Sequence, residues 1–94
     1  MSYVPLRKKG NTKITFLGDN VIVTFHSTDI VIFNNERIIL NSDNWYTVTT
    51  KQRMNQTSDE FGLGFEISQR DFDWFVKTQN KTLHYYDGMV FDRS

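Results

Sequence analysis

A chain of 94 residues with eleven basic and eleven acidic side chains is one domain with no global field to draw it to nucleic acid or membrane, so any basic contact must be local. The absence of cysteine excludes disulfides, thiolate nucleophiles and cysteine-based zinc sites. No apolar run is long enough for a signal peptide or a transmembrane helix, which makes the cytosol the expected setting.

Residues 1–11 hold the only proline, Pro5, and the basic triplet Arg7-Lys8-Lys9. Nothing periodic runs through them, so they read as a flexible N-terminal arm before a single domain over 12–94. Lys13 to Leu17 and Val21 to His26 are rich in β-branched and aromatic residues. With Gly18-Asp19-Asn20 between them they predict a hairpin, with Val21, Val23 and Phe25 on the core face. Ile30 to Phe33 and Arg37 to Leu40 predict a second hairpin around a type I′ turn at Asn34-Asn35. Both runs are apolar on both faces, which predicts a hairpin covered on both sides or central in a sheet.

After the turn-formers Asn41 to Asn44, Trp45 to Val48 alternates like a short strand. Thr49 then stands as an N-cap with Gln52 three residues on, a capping-box spacing. Thr50, Met54, Thr57 and Phe61 share one helical face. That stripe is thin, so the helix is only partly buried. Asp59 and Glu60 oppose the dipole at a C-terminus and predict an end near Thr57 or Ser58. Gly62 and Gly64 follow as turn residues.

Beyond the helix, Leu63, Phe65 and Ile67 share a face, and so do Phe72, Trp74 and Val76, with Phe75 outward. Leu83 to Tyr86, Asp87-Gly88 and Met89 to Phe91 read as a closing hairpin, since Asp-Gly is a strong turn signal. The fold class is therefore α+β: an antiparallel β meander with one short central helix, the sheet able to curl into a small barrel around it.

Candidate chemistry is sparse. His26 and His84 lack ligand spacing, the carboxylates fall in turns or on solvent faces, and no nucleophile motif occurs. The chain is expected not to be an enzyme and to need no cofactor or metal. Gly62-Leu63-Gly64 is neither a P-loop nor a dinucleotide fingerprint. The informative stretch is the helix start. Thr47, Thr49 and Thr50 supply hydroxyls beside free N–H groups, Lys51 and Arg53 supply charge, and Trp45, Asn55 and Gln56 flank them. Such an end favours anions. Phe75, Tyr46, Tyr85 and Tyr86 are a second candidate surface, for bases or for a protein.

Ile38-Ile39-Leu40-Asn41, then Trp45-x-Thr47-x-Thr49-Thr50-Lys51-x-Arg53-Met54-Asn55-Gln56, then Leu63-Gly64-Phe65, Trp74-Phe75-Val76 and Asp87-Gly88-Met89 together resemble a family of small bacteriophage proteins of uncharacterised function. The resemblance spans roughly residues 20 to 91. It implies a phage-encoded accessory protein and transfers no catalytic residue. The expectation is a non-enzymatic binding protein that contacts nucleic acid or a nucleotide phosphate through Trp45, Thr47, Thr49, Thr50, Lys51, Arg53, Asn55 and Gln56. The alternative is a protein–protein interaction module acting on a host or phage protein. A homo-oligomer built through strand edges fits either, and a membrane partner fits neither.

Overall fold

The computed structural model of the protein describes residues 10–93. Most of the expected N-terminal arm, including Arg7-Lys8-Lys9, lies outside them. Strands β1 (Thr12–Leu17), β2 (Asn20–Phe25), β3 (Thr28–Phe33) and β4 (Arg37–Leu40) form the expected antiparallel meander. Helix α1 (Val48–Phe61) follows, then β5 (Glu66–Arg70), β6 (Asp73–Lys77), β7 (Thr82–His84) and β8 (Met89–Asp92). The class is α+β, as the residue pattern predicts. The strands do not close into a barrel. They fall into two antiparallel sheets, ordered β1-β2-β3-β4-β8 and β5-β6-β7.

That split corrects the closing hairpin. Asp87-Gly88 does make a turn, with the Met89 N–H on the Tyr86 carbonyl. Its flanks pair elsewhere, however: β7 with β6 and β8 with β4. The turn is the bridge between the sheets, because the Gly88 N–H bonds the Leu40 carbonyl at the end of β4.

The hairpin turns follow from their residues. Gly18 joins β1 to β2 at φ +61, which glycine adopts at no steric cost. His26, read as a strand residue, instead turns the chain at φ +57. Asn34 and Asn35 are not a type I′ pair, since neither is left-handed. The Asn34 side chain accepts from the N–H groups of Glu36 and Arg37 at 2.8 and 2.9 Å, an Asx turn that needs no positive φ. The register of β2 against β3 shifts at Val23/Thr24, so Ile30 has no partner on β2. Such a bulge re-aims its side chain.

Helix α1 begins earlier and ends later than its residues suggest. Thr47, not Thr49, is the N-cap: its hydroxyl accepts from the Thr50 N–H at 3.2 Å and lies 3.0 Å from the Thr50 hydroxyl. The expected strand before it is absent. Asp43 and Asn44 are left-handed, and the Trp45 and Thr47 N–H groups bond the nearby Ser42 and Trp45 carbonyls, so no ladder can form. At the other end the helix runs on to Phe61. Gly62 closes it at φ +64, with the Leu63 N–H on the Ser58 carbonyl, a Schellman arrangement. The two acidic residues cost about 0.3–1 kcal/mol each at most. Half-burying Phe61 against Phe33, at 5.0 Å between ring centres, is worth roughly 1 kcal/mol and the cap adds to it.

The helix packs on β2 and β3 of one sheet and on β5 of the other. Met54 is fully buried, with Val23, Val31, Leu40 and Val76 around one shared core. Leu63, Phe65, Ile67, Trp74 and Val76 are buried as the alternation predicts. Phe72 is the exception. It sits in the β5–β6 turn at 95% exposure rather than inward. Asp71 and Phe72 are both left-handed, at φ +51 and +72. That conformation costs a bulky residue about 1–2 kcal/mol.

Candidate functional site

A hollow of about 630 Å³ opens where the β2–β3 turn faces the start of α1. Phe25, His26, Ser27, Thr28 and the bulged Ile30 form one wall. Ser42, Asp43, Trp45, Thr47, Thr49 and Thr50 form the other. The Phe25 and His26 rings lie 4.4 Å apart. Trp45 is 64% exposed at the rim, and Thr49 in the first turn is exposed as well. The hollow thus has apolar walls and hydroxyls at its mouth.

Of the residues singled out by sequence, Trp45, Thr47, Thr49 and Thr50 meet in this hollow. The other four do not line it. Lys51 Nζ donates to Gln69 Oε1 on β5 at 3.3 Å. Arg53 donates to Thr12 Oγ1 at 3.3 Å and to Gln56 Oε1 at 3.1 Å, and its guanidinium lies 5.6 Å over the Phe25 ring. Asn55 is bonded to backbone on both sides: its Nδ2 donates to the Ile67 carbonyl at 3.0 Å and its Oδ1 accepts from the Ile67 N–H at 2.6 Å. It does what a neighbouring strand would do for the free edge of β5.

The loop that carries Trp45 is anchored by a residue sequence reasoning assigned to a hairpin. Asp87 Oδ1 accepts from the Ser42 N–H, the Ser42 hydroxyl and the Tyr85 hydroxyl at 2.9, 2.6 and 2.8 Å. Oδ2 accepts from the Asn44 N–H at 2.8 Å. Desolvation pushes the Asp87 carboxyl up, but the bonds from Ser42, Asn44 and Tyr85 outweigh it and hold the group below the usual carboxylate range. Burial, and then its bond to Asp87, push the Tyr85 hydroxyl far above its ordinary value, so it stays protonated and donates. Burial and the Asp87 charge likewise raise Tyr46. Only the run of turn-formers at Asn41 to Asn44 hinted at this node, and nothing local pairs it with Asp87.

The second candidate surface divides. Tyr85 is buried, and Phe75 is half-buried with its ring 5.2 Å from His84. Tyr46 is half-exposed, edge-on to Trp74 at 5.0 Å and to Tyr85 at 5.8 Å. With Trp45 and with Val48 at 61%, it makes the approach to α1 an exposed apolar stretch. A cleft of about 430 Å³ lies elsewhere, between Leu63-Gly64, the β6–β7 turn and β8. Gly62 and Gly64 serve backbone conformation there, both being left-handed. No helix among the described residues is long and apolar enough to cross a membrane.

The fold and site define a small α+β protein with an exposed aromatic surface around a hollow. The family model described as Kyanoviridae Gp96 protein matches residues 5–92. The chain belongs to that family of phage proteins. Comparison with curated proteins and with solved structures finds no match.

Proposed function

We propose that this phage protein is a non-enzymatic binding module whose contact surface is the aromatic end around the helix-start hollow, and that its partner is a protein. The observation that carries this reading is the exposure of Trp45, Tyr46 and Val48, gathered within four residues at the start of α1. Large apolar side chains gathered on a surface mark an interaction site, and tryptophan and tyrosine supply most contact energy in such sites. The local charge supports it too. Lys51 and Arg53 are engaged with Gln69, Thr12 and Gln56, and no Lys or Arg among the described residues lines the hollow.

The test is capture from infected-host lysate by wild-type protein and by Trp45→Ala, with and without nuclease. A protein that survives nuclease and binds Trp45→Ala at least about tenfold more weakly is the expected result. Capture that nuclease abolishes hands the surface to nucleic acid.

The nucleotide reading keeps one observation in its favour: the Thr47 and Thr49 hydroxyls and the first-turn N–H groups stand beside the Trp45 ring. A phosphate held by those neutral donors would bind with little salt dependence. Titration of a labelled mononucleotide at two salt concentrations measures it.

A further inference from the structure

The cleft of about 430 Å³ beside β8 runs along a sheet edge that has no further strand among the described residues. Val90, Phe91 and Asp92 line it and no residue of β4 does, so it lies on the side of β8 away from β4. The ladder shows which backbone groups face it. The Arg93 N–H bonds the Glu36 carbonyl at 2.7 Å, one step past the Arg37–Asp92 pair. Alternate residues of an antiparallel pair bond across it. Arg93 and Phe91 therefore turn their backbone groups to β4, and Val90 and Asp92 turn theirs away, as a row of two N–H and two C=O groups along the cleft.

The contrast with the other edges is informative. The edge of β5 is closed, because Asn55 and Ser58 take the polar groups of Ile67 and Phe65. The outer edge of β1 is free, but no β1 residue lines either hollow. At β8 a free edge and a walled cleft coincide.

We infer that β8 takes up an extended segment of a partner protein as an added antiparallel strand in this cleft. Such an addition draws affinity from main-chain hydrogen bonds and specificity from alternate side chains. Antiparallel pairing, the kind every strand pair of the described residues uses, sets two partner residues opposite Val90 and Asp92 and one between them opposite Phe91. The outer two exchange four backbone bonds with Val90 and Asp92. The middle one points to the face on which Phe91 lies, where half-buried Phe91 and Leu83 and buried Leu63 border the cleft. The segment recognised is thus an apolar residue between two that tolerate solvent, beside Val90 at 51% exposure. Lys81 and Asp92 both border the cleft, so charge does not choose the occupant; the backbone row and the apolar floor do. A second copy offering its own β8 would bring its own β6–β7 turn against the first, so the fit is to a single extended chain. This surface is separate from the helix-start hollow and does not depend on the reading given for it.

The test is a titration of acetyl-Ser-Thr-Leu-Thr-Ser-amide, up to about 10 mM, into the isotope-labelled full chain, followed by amide NMR. Binding with a Kd of about 1 mM or tighter is the expected result, with the Val90 and Asp92 amide signals moving most and Leu83 following. N-methylation of both threonines removes the donors to the Val90 and Asp92 carbonyls and is expected to weaken binding at least about tenfold. N-methylation of the leucine, whose N–H points away from β8, is expected to leave it unchanged. Val90→Pro deletes a donor that makes no bond to β4, which an edge strand tolerates, and is expected to weaken the unmodified peptide by a similar factor. Should that variant not fold, the two methylated peptides still decide on wild type. No shift of Val90 and Asp92 up to the highest concentration overturns the inference. So do shifts confined to the helix-start hollow, or a peptide that binds equally well with both threonines methylated.

Discussion

At its C-terminal end α1 is fastened to the rest of the molecule by side chains that bond backbone. Asn55 takes both polar groups of Ile67. The Ser58 hydroxyl donates to the Phe65 carbonyl at 2.6 Å and accepts its N–H at 3.0 Å. At its N-terminal end the same helix is held by its own cap and by a loop that Asp87 ties down, while Trp45, Tyr46, Val48 and Thr49 face solvent. One end is spent on stability and the other is left available. Binding surfaces are commonly built this way, as exposed groups on a rigid support.

Three substitutions break or sharpen that contrast. The largest effect is expected at the fastened end. Asn55→Ala strands the Ile67 N–H and carbonyl beside a buried side chain and is expected to cost about 2–4 kcal/mol in urea unfolding. A loss as small as that of an exposed residue would mean that water replaces the amide and the end is not fastened as described.

Next comes Asp87→Asn, which leaves too few acceptors for four donors and is expected to cost about 1–3 kcal/mol at neutral pH. The cost depends on pH with a definite sign. Asp87 titrates lower in the folded protein than its ordinary 3.8, so its contribution is full above that value. It is lost as pH falls from there through the folded pKa. Unfolding midpoints of wild type and variant should therefore approach one another below about pH 3.8. A gap that stays constant to lower pH would assign the cost to packing.

The smallest is Thr47→Ala at the open end, where loss of the cap is expected to cost about 1 kcal/mol. Thermal melts in parallel with Asn55→Ala measure the ratio. Equal losses would erase the distinction between the two ends.

What was legible in the residues follows the same division. The meander could be read because alternation and turn chemistry act locally: Gly18 turns, Val23 goes in, and β1 to β4 follow. The helix could be read from Thr50, Met54, Thr57 and Phe61. Its limits could not, because Ser58 is kept helical partly by Phe65 and by Phe61 packing on Phe33 from another element. Asp87-Gly88 was legible as a turn and not as a bridge, since its carboxylate is answered by Ser42 and Asn44 far back in the chain. Four candidate residues meet in the hollow because they are close in sequence. Lys51, Arg53, Asn55 and Gln56 are also close, but helical rotation sends them to other flanks. The opposite wall, from Phe25 to Ile30, belongs to a hairpin that carries no motif.

Strand β8 has a consequence for how the chain is assembled. Four strands of its sheet are sequence neighbours and can pair as soon as they exist. The fifth, Met89–Asp92, must return across the whole helix and second sheet before Arg37 to Leu40 gain their outer partner. Pairs so distant in sequence form slowly, because the intervening chain has to be gathered first. During synthesis, then, the outer edge of β4 stands unpaired until β8 is made, whereas the outer edge of β1 gains no partner strand among the described residues. An apolar strand edge in that state is open to pairing with another chain. The short final strand is what ends that exposure.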